Sequence, residues 1–228
     1  MVKPVVLCDS AWASYCRAES ERLLCRHSNG ICGLYGLQLA GWPMSVAACD
    51  KLAVSTLFRY SPQPDPGCDV KGALAALPFE SESLALVLVP FSLDGEQQPE
   101  AVLEEIDRVL MPEGHLVLMS MNGLSPWGLR AARPLPGCLW MMRYLISRGY
   151  DITTWRRYLF RPPLAQGRWL GRLAFMDRLR LGTSGAGLIV ARKRIIGVPP
   201  VGMALSTRHG RGRERTRVPA GLAGGGAR

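Results

Sequence analysis

The sequence predicts an α/β protein with a mostly parallel sheet, and one stretch near its middle carries most of that prediction. Leu84–Pro90 (LALVLVP) is a continuous apolar run, as expected for a strand buried on both faces of a parallel sheet. From Pro99 onward, apolar residues recur at helical spacing on one face. His115–Met121 (HLVLMSM) is a second apolar run. A strand, a helix and a strand at this spacing form one right-handed βαβ crossover, which joins parallel strands.

The helix in this stretch has start and stop signals. Pro99 suits the first turn, because proline lacks the N–H that would have no partner there. Pro112 and Gly114 predict a turn that ends the helix before the next strand. Charged side chains occupy the outward face, so the helix should lie with its other face on the sheet. The predicted inward residues are Val102, Leu103, Ile106, Val109 and Leu110.

Elements on the N-terminal side supply the first strands of the sheet. Trp12–His27 is an amphipathic segment that predicts a helix, with Ser10 as its N-cap. Leu37–Leu39 and Leu52–Tyr60 predict the first two strands, joined by a helix over Ser45–Lys51. A glycine-rich turn is expected before the first strand, because glycine favours turns. Its glycines are Gly30, Gly33 and Gly36.

The C-terminal half predicts a helix and two further strands. Gly137–Arg148 has a helical pattern, and Tyr150–Phe160 and Gly185–Lys193 are strand-like. The glycine-rich segment Gly182–Gly187 predicts a hairpin-type connection before the last strand. The residues expected to face inward on the helix are Leu139, Met142, Leu145 and Ile146.

Length and composition fit a single α/β domain. The chain has 228 residues, of which 48% are hydrophobic, enough to bury a core. The apolar run at Leu84 is about half of the roughly 20 residues that a membrane-spanning helix needs. The segment MVKPVVLCDSAW lacks the apolar core and cleavage site of a signal peptide. The expected location is therefore the cytoplasm, with no membrane span.

Half of the formal charge of +10 lies at the C-terminal end of the chain. Residues 203–228 contain six arginines and one glutamate, with many glycines and alanines. Without apolar periodicity this tail should be disordered. Its arginines could make a weak nucleic-acid contact by releasing counterions from phosphates. The alternative is a solvated extension without a partner.

Patterns typical of nucleophiles and metal sites are missing from the sequence. The seven cysteines form no C-x-x-C pair, and Cys25 and His27 have no second pair to complete a zinc ligand set. His27, His115 and His209 fall in separate elements, so they form no catalytic triad. Gly182–Gly187 lacks the spacing of a G-x-S-x-G nucleophile elbow. Hydrolase and metalloenzyme functions are therefore disfavoured, and catalytic residues stay unassigned.

The motifs around the central stretch resemble a known family. Leu77–Phe79 (LPF), the apolar strand and a helix ending in RVLMPEGHLVL resemble the second half of a class I S-adenosylmethionine-dependent methyltransferase domain. Asn122–Arg130, Phe160–Leu164 and Gly185–Gly197 resemble a bacterial, type 11-like subgroup of unknown substrate. The resemblance spans roughly residues 12–202.

This resemblance implies a Rossmann-like fold whose last two strands pair antiparallel and close an otherwise parallel sheet. It divides the chain into an N-terminal helical extension (1–28), a methyltransferase-like α/β domain (29–202) and a basic, disordered tail (203–228). In the family, a helix of this kind covers the cofactor end of the sheet. A helix that only packs against the sheet would have the same sequence pattern.

The resemblance also implies an S-adenosylmethionine site. Family members bind the cofactor at a glycine loop after the first strand, where main-chain N–H groups can approach it closely. In this chain the loop is Ala40–Pro43 (AGWP), with one glycine where the family has two or three. Asn122, after the fifth strand, would face the substrate opening, although capping a turn is its alternative role. The implied cofactor-binding residues are Gln38, Ala40, Gly41, Ala73, Leu74, Pro90 and Phe91.

Several positions depart from the family pattern. Ala73 stands where an aspartate bonds the adenine amino group, and Ala85 stands where the fourth strand carries an aspartate. Phe91 replaces a polar residue or histidine that faces the transfer site. We expect each change to remove a hydrogen bond or charge that helps to bind the cofactor. Each loss would cost roughly 1 kcal/mol or more of binding free energy if the group is buried.

Three functions follow from these patterns. The first is an S-adenosylmethionine-dependent methyltransferase acting on an unknown small-molecule or macromolecular acceptor. Methyl transfer depends chiefly on alignment, so few dedicated catalytic side chains are needed. The second is a catalytically inactive methyltransferase-like protein with a degenerate cleft, serving in binding or interaction. The third is a nucleic-acid-associated protein that uses the basic tail.

Overall fold

The computed structural model describes residues 10–28, 30–39, 52–62, 67–125, 128–130, 135–161 and 184–194. The strands are β1 (Cys32–Leu39), β2 (Ala53–Ser61), β3 (Val70–Lys71), β4 (Leu84–Pro90), β5 (Leu110–Met121), β6 (Tyr150–Tyr158) and β7 (Ala186–Lys193). The α-helices are α1 (Ser10–His27), α2 (Pro99–Val109) and α3 (Cys138–Ser147), and a short 3-10 helix covers Gly128–Arg130.

The seven strands form one sheet in the order β3-β2-β1-β4-β5-β7-β6. Neighbouring strands from β3 through β5 are parallel. β7 runs antiparallel to both of its neighbours, β5 and β6. Every residue of the central strand β4 is buried, because strands flank it and helices cover the sheet. The prediction of a Rossmann-like, mostly parallel sheet closed by antiparallel C-terminal strands is confirmed.

Helices cover both faces of this sheet. On one face α2 and α3 enclose a core that includes Val87 and Leu118. On the other face α1 contributes Leu24 to a second core. Ser20 of α1 and Tyr158 of β6 share a hydrogen bond of 3.0 Å between their hydroxyls. Both side chains are buried, so this bond satisfies two polar groups at the contact between α1 and the sheet.

Arg108, near the end of α2, ties this helix to the loop before β4. Its Nη1 donates to the Phe79 carbonyl and its Nη2 to the Leu77 carbonyl, each at 3.0 Å. Glu105 accepts from the Leu77 N–H at 3.1 Å and pairs with Arg108 at 2.9 Å. The hydrogen bond from Arg108 lowers the pKa of the Glu105 carboxyl. The LPF segment and the arginine of RVL are therefore two halves of one contact.

Two of the glycines expected in a turn instead lie inside a strand. β1 covers Cys32–Leu39 and so includes Gly33 and Gly36. A Cβ at Gly33 would lie 2.1 Å from the Cβ of Ala85. The glycine is therefore needed for close approach within the sheet. Gly30, with a φ of +88°, makes the turn before β1.

β5 begins one residue after α2, earlier than the sequence predicts. Leu110, expected on the inward face of the helix, is the first residue of the strand, and Pro112 and Gly114, expected to end the helix, lie within the strand. Along β4 the pairing skips from Leu110 to His115. Glu113, inside this gap, has a φ of +66°. The predicted turn residues therefore form an irregularity at the start of β5 rather than a separate turn.

α3 confirms the predicted helix but not its predicted inward face. Met141 and Leu145 are buried, whereas Leu139 and Ile146 expose 56% and 54% of their surface. Met142 is half-buried against the core. Apolar side chains occupy almost every side of CLWMMRYLIS, so periodicity alone could not choose the face. The choice depends on which residues meet the sheet.

Some predictions fall on residues that the structure does not describe. These include Ala40, Gly41, the helix over Ser45–Lys51 and the tail, so the boundary at residue 203 stays a prediction. The predicted connection Gly182–Gly187 is described only from residue 184, and Gly187 pairs with Ser120 within the sheet. Among the described helices, none is long and apolar enough to cross a membrane.

Candidate functional site

The order of the sheet locates the position for a ligand. β2 and β3 lie on one side of β1, whereas β4 and the later strands lie on the other, so the winding reverses between β1 and β4. In open α/β sheets, ligands bind at such a switch point, outside the carboxyl ends of the strands. Gln38 lies at the carboxyl end of β1 and pairs with Leu88 of β4. Pro90 ends β4 at the same edge.

Gln38 is the polar side chain that β1 places at this switch point. It is 5% exposed, although neighbouring positions of the strand are apolar. A buried amide needs hydrogen-bond partners, so apolar packing alone does not explain a glutamine at this position. Two of the predicted cofactor-binding residues, Gln38 and Pro90, therefore lie near the same edge of the sheet, the edge at which open α/β sheets bind ligands. Ala40 and Gly41 lie outside the described residues.

Phe91 follows β4 in a strained backbone conformation. Its φ is +60°, which is unusual for a bulky side chain. Its N–H donates to the Met119 carbonyl at 2.9 Å, which holds the turn in place. The ring is buried in the core beneath α1. Strained residues of this kind cluster at ligand sites, but the ring itself offers the site no polar group.

Ser92 is a polar residue at this edge that the sequence reading missed. Its side chain is buried, and within the described part of the chain its Oγ has no hydrogen-bond partner. A buried hydroxyl without a partner is costly, so its occurrence needs an explanation. A polar ligand at the switch point would supply the missing partner. This orphaned hydroxyl is the feature by which the site fits a bound cofactor.

Asp94 is a second residue that the sequence reading missed. Its carboxylate accepts from Ser120 Oγ at 2.7 Å and from the Met121 N–H at 2.8 Å. Burial raises the pKa of this carboxyl to about 7, and the two hydrogen bonds offset only part of that shift. Asp94 thus ties the loop after β4 to the end of β5. Its signal was an acidic residue inside the turn FSLDG, which directly follows the apolar strand β4.

The turn after β3 contains the predicted residues Ala73 and Leu74. Ala73 is exposed, and its carbonyl accepts from the Tyr60 hydroxyl at 2.8 Å. Leu74 is buried in the core on the α2 side of the sheet. A Cβ at Gly72 would lie 2.2 Å from the Tyr60 hydroxyl. The phenol of Tyr60 therefore fills the space behind this turn. The methyl side chain of Ala73 offers no hydrogen bond to a ligand.

Ala85 does not lie at the carboxyl end of the sheet, where the cofactor cleft is predicted. The expectation that this alanine removes a hydrogen bond or charge from that cleft is therefore wrong. It is the second residue of β4, and roughly 16 Å separate it from the carboxyl end at Pro90. Its Cβ packs against Gly33 of β1, where an added Cβ would lie 2.1 Å away. Ala85 is therefore a packing residue of the sheet.

Asn122 directly follows β5 and uses both ends of its amide locally. Its Nδ2 donates to the Ser184 carbonyl at 3.0 Å, and its Oδ1 accepts from the Leu124 N–H at 3.2 Å. The second of these bonds is the turn-capping role that was the alternative for this residue. Asn122 also lines a cavity of about 570 Å³ beside the end of β5.

Comparison with known proteins agrees with this architecture. Residues 38–118 match the family model of a methyltransferase domain. The uncharacterized protein YafS of Escherichia coli K12 is 30% identical over 135 residues, which are 59% of this chain and 55% of YafS. The chain thus spans about half the length of this curated relative.

Solved structures share the fold at low identity. A SAM-dependent methyltransferase from Archaeoglobus fulgidus superposes with a TM-score of 0.57 at 13% identity, covering 78% of this chain and 94% of that one. An S-adenosylmethionine-dependent methyltransferase from Mesorhizobium loti superposes with a TM-score of 0.52 at 17% identity, covering 76% of this chain and 98% of that one. The [4+2]-cyclase SpnF superposes with a TM-score of 0.55 at 15% identity, covering 78% of this chain and 80% of SpnF. The chain is thus similar to a methyltransferase domain over residues 38–118, and it shares the Rossmann-like fold of these solved structures.

Proposed function

We propose that the protein binds S-adenosylmethionine at the switch point between β1 and β4 and transfers its methyl group to an acceptor. The observation that carries this proposal is the orphaned, buried hydroxyl of Ser92 beside the strained Phe91. Both lie at the edge where β1 presents the buried Gln38. All three residues fall inside the segment that matches a methyltransferase domain.

Some residues at the carboxyl edge of the sheet would bind the cofactor directly, and Asp94 would hold the loop after β4 in position. Gln38 and Ser92 would supply side-chain hydrogen bonds, and Ala40-Gly41 would supply main-chain N–H groups. S-adenosylmethionine supplies the methyl group on a positively charged sulfur. The protein's task is to hold donor and acceptor in line, which accounts for the lack of an acid–base pair. The Asp94 contact to β5 keeps the loop that carries Ser92 in position.

An inactive, methyltransferase-like binding protein is the second candidate. Ala73 offers no side-chain bond at the turn after β3, and the Phe91 ring is turned into the core. The fold does not decide between the two functions, because function depends on the site. SpnF, a structural neighbour whose name states a cyclase, has the same fold. Ala85 no longer supports this second candidate, since it lies away from the cleft.

Calorimetric titration with S-adenosylmethionine, and separately with S-adenosylhomocysteine, tests the proposal. We expect micromolar binding, and Ser92→Ala should weaken it by about tenfold, because a hydrogen bond to a bound ligand is lost. The same variant should not destabilise the free protein, since it removes an unsatisfied hydroxyl.

Ser55→Ala is the matched control, because Ser55 is exposed in the first half of β2, away from the carboxyl edge. It should bind the cofactor like the unchanged protein. A folded protein that gives no heat at millimolar cofactor would overturn the transferase proposal and favour the inactive relative.

A further inference from the structure

A cavity of about 570 Å³ opens where the end of β5 and strands β6 and β7 meet the start of α3. This volume falls within the range of roughly 300–1,000 Å³ that is typical of small-molecule sites. Asn122 lies in its wall, directly after β5. The adjoining residue Met121 is bonded through its N–H to Asp94, in the loop that follows β4. The cavity is thus connected to the switch point by a short, hydrogen-bonded segment.

Two tryptophans give the cavity flat, apolar walls. Trp140 comes from α3 and Trp155 from β6. Trp140 stacks on Tyr144 with ring centroids 5.6 Å apart, which fixes its orientation. A Cβ at Gly187 of β7 would lie 2.5 Å from the Cys138 sulfur and 3.7 Å from the Trp155 indole nitrogen, so glycine lets α3 and the Trp155 ring approach this strand closely. Walls of this kind suit a planar aromatic group.

The charge of the cavity is positive. Arg143 of α3 and Arg157 of β6 line it, and none of the described residues that line it is acidic. In the described part of the chain neither guanidinium has a carboxylate partner. Cys138 lies in the wall, but burial raises the pKa of its thiol to about 12, so it stays uncharged. The two arginines therefore remain available for an acidic group of a ligand.

We propose that this cavity binds the methyl acceptor and that the acceptor is an anionic aromatic small molecule. The stacking walls would take its ring, and Arg143 and Arg157 would take its carboxylate or phosphate. Its role as acceptor site rests on the proposed methyltransferase function. Its ligand class rests on the cavity alone, and can be tested without cofactor.

Titration calorimetry with 2-naphthoate, compared with the neutral 2-naphthalenemethanol, is the test. We expect 2-naphthoate to bind at least about tenfold more tightly, with an affinity that falls as salt is added. Arg143→Gln and Arg157→Gln should each weaken 2-naphthoate by about tenfold, while binding of the alcohol changes little. Both arginines are exposed, so neither variant should lower the melting temperature.

Arg156→Gln is the matched control. Arg156 neighbours Arg157 on β6 and is also exposed. It pairs with Leu188, whose side chain lies in the core on the opposite face of the sheet. It should leave 2-naphthoate binding unchanged. Equal affinity for the two probes, no binding of either, or an equal loss with Arg156→Gln would overturn the proposed ligand class. Failure to bind S-adenosylmethionine would instead overturn the proposed function, whatever the naphthoate result.

Discussion

Asp94 shows how burial changes the chemistry of a single residue at the candidate site. Its carboxyl is buried between the loop after β4 and the end of β5, where Ser120 and the Met121 N–H donate to it. Burial raises its pKa from 3.8 to about 7 in the folded protein. Between about pH 4 and 7 this carboxyl is therefore protonated in the folded protein but ionised in the unfolded chain. Its contribution to the free energy of unfolding is complete below pH 4 and is lost as the pH rises through 7.

Asp94→Asn is expected to remove this pH dependence. Between pH 4 and about pH 8 the unchanged protein should lose about 4 kcal/mol in its free energy of unfolding from this residue alone. The variant keeps an oxygen acceptor for the Met121 N–H but cannot ionise. Urea unfolding of both proteins at several pH values measures the difference. Parallel pH profiles for the two proteins would contradict the prediction.

Ala85 and Ser92 show what the identity of a residue can and cannot reveal. Alanine in place of an expected aspartate indicated a damaged cofactor cleft. The structure instead places Ala85 against Gly33, far from the cleft. Ser92 carried no motif, and only its burial without a partner among the described residues marks it as a candidate. Burial depends on neighbours that are distant in sequence, so pattern reading could not find it.

At the scale of elements, α3 shows why a uniformly apolar helix is hard to orient from sequence. Leu145→Ala should lower the free energy of unfolding by about 2–5 kcal/mol, because it leaves a cavity in the core. Ile146→Ala, at the next position, should change it by less than about 1 kcal/mol, since Ile146 is mainly exposed. Chemical denaturation measures both. Losses of similar size for the two variants would restore the inward face that the sequence predicted, because that face included both residues.

The contact between α2 and the loop before β4 is a second feature of this scale. Arg108 donates to two main-chain carbonyls and to Glu105 at once, which a lysine ammonium cannot reproduce in the same geometry. Arg108→Lys should therefore cost about 1–2 kcal/mol in urea unfolding.

Arg22→Lys is the control for this prediction. Arg22 also pairs with a glutamate three residues away, Glu19, but on the exposed side of α1. A surface pair of this kind contributes about 0–1 kcal/mol, so the variant should be close to neutral. Equal losses for the two variants would show that the loop carbonyls contribute nothing.

At the scale of the whole molecule, the strand order brings the candidate residues together. Gln38 and Ser92 are far apart in sequence, yet β1 and β4 are neighbours and end at one edge. If this edge binds S-adenosylmethionine, cofactor at about 100 times its dissociation constant should raise the free energy of unfolding by about 2.7 kcal/mol. A thermal shift with cofactor checks this, and the Ser92→Ala variant should shift less at the same concentration. The nucleic-acid contact of the basic tail stays a prediction.

The sequence by itself determined the α/β class, the central βαβ unit and the three helices that the structure describes. These follow from apolar periodicity and turn residues, which are local properties of the chain, whereas the antiparallel pairing of the last two strands was implied by the family resemblance. Tertiary structure decided which face of α3 is buried, why Gly33 is a glycine and where Ala85 lies. It also decided that Ser92 and Asp94 are buried after β4 and that two arginines line one cavity. These properties depend on which strands become neighbours, and that is settled only when distant segments compete to bury the same apolar surface.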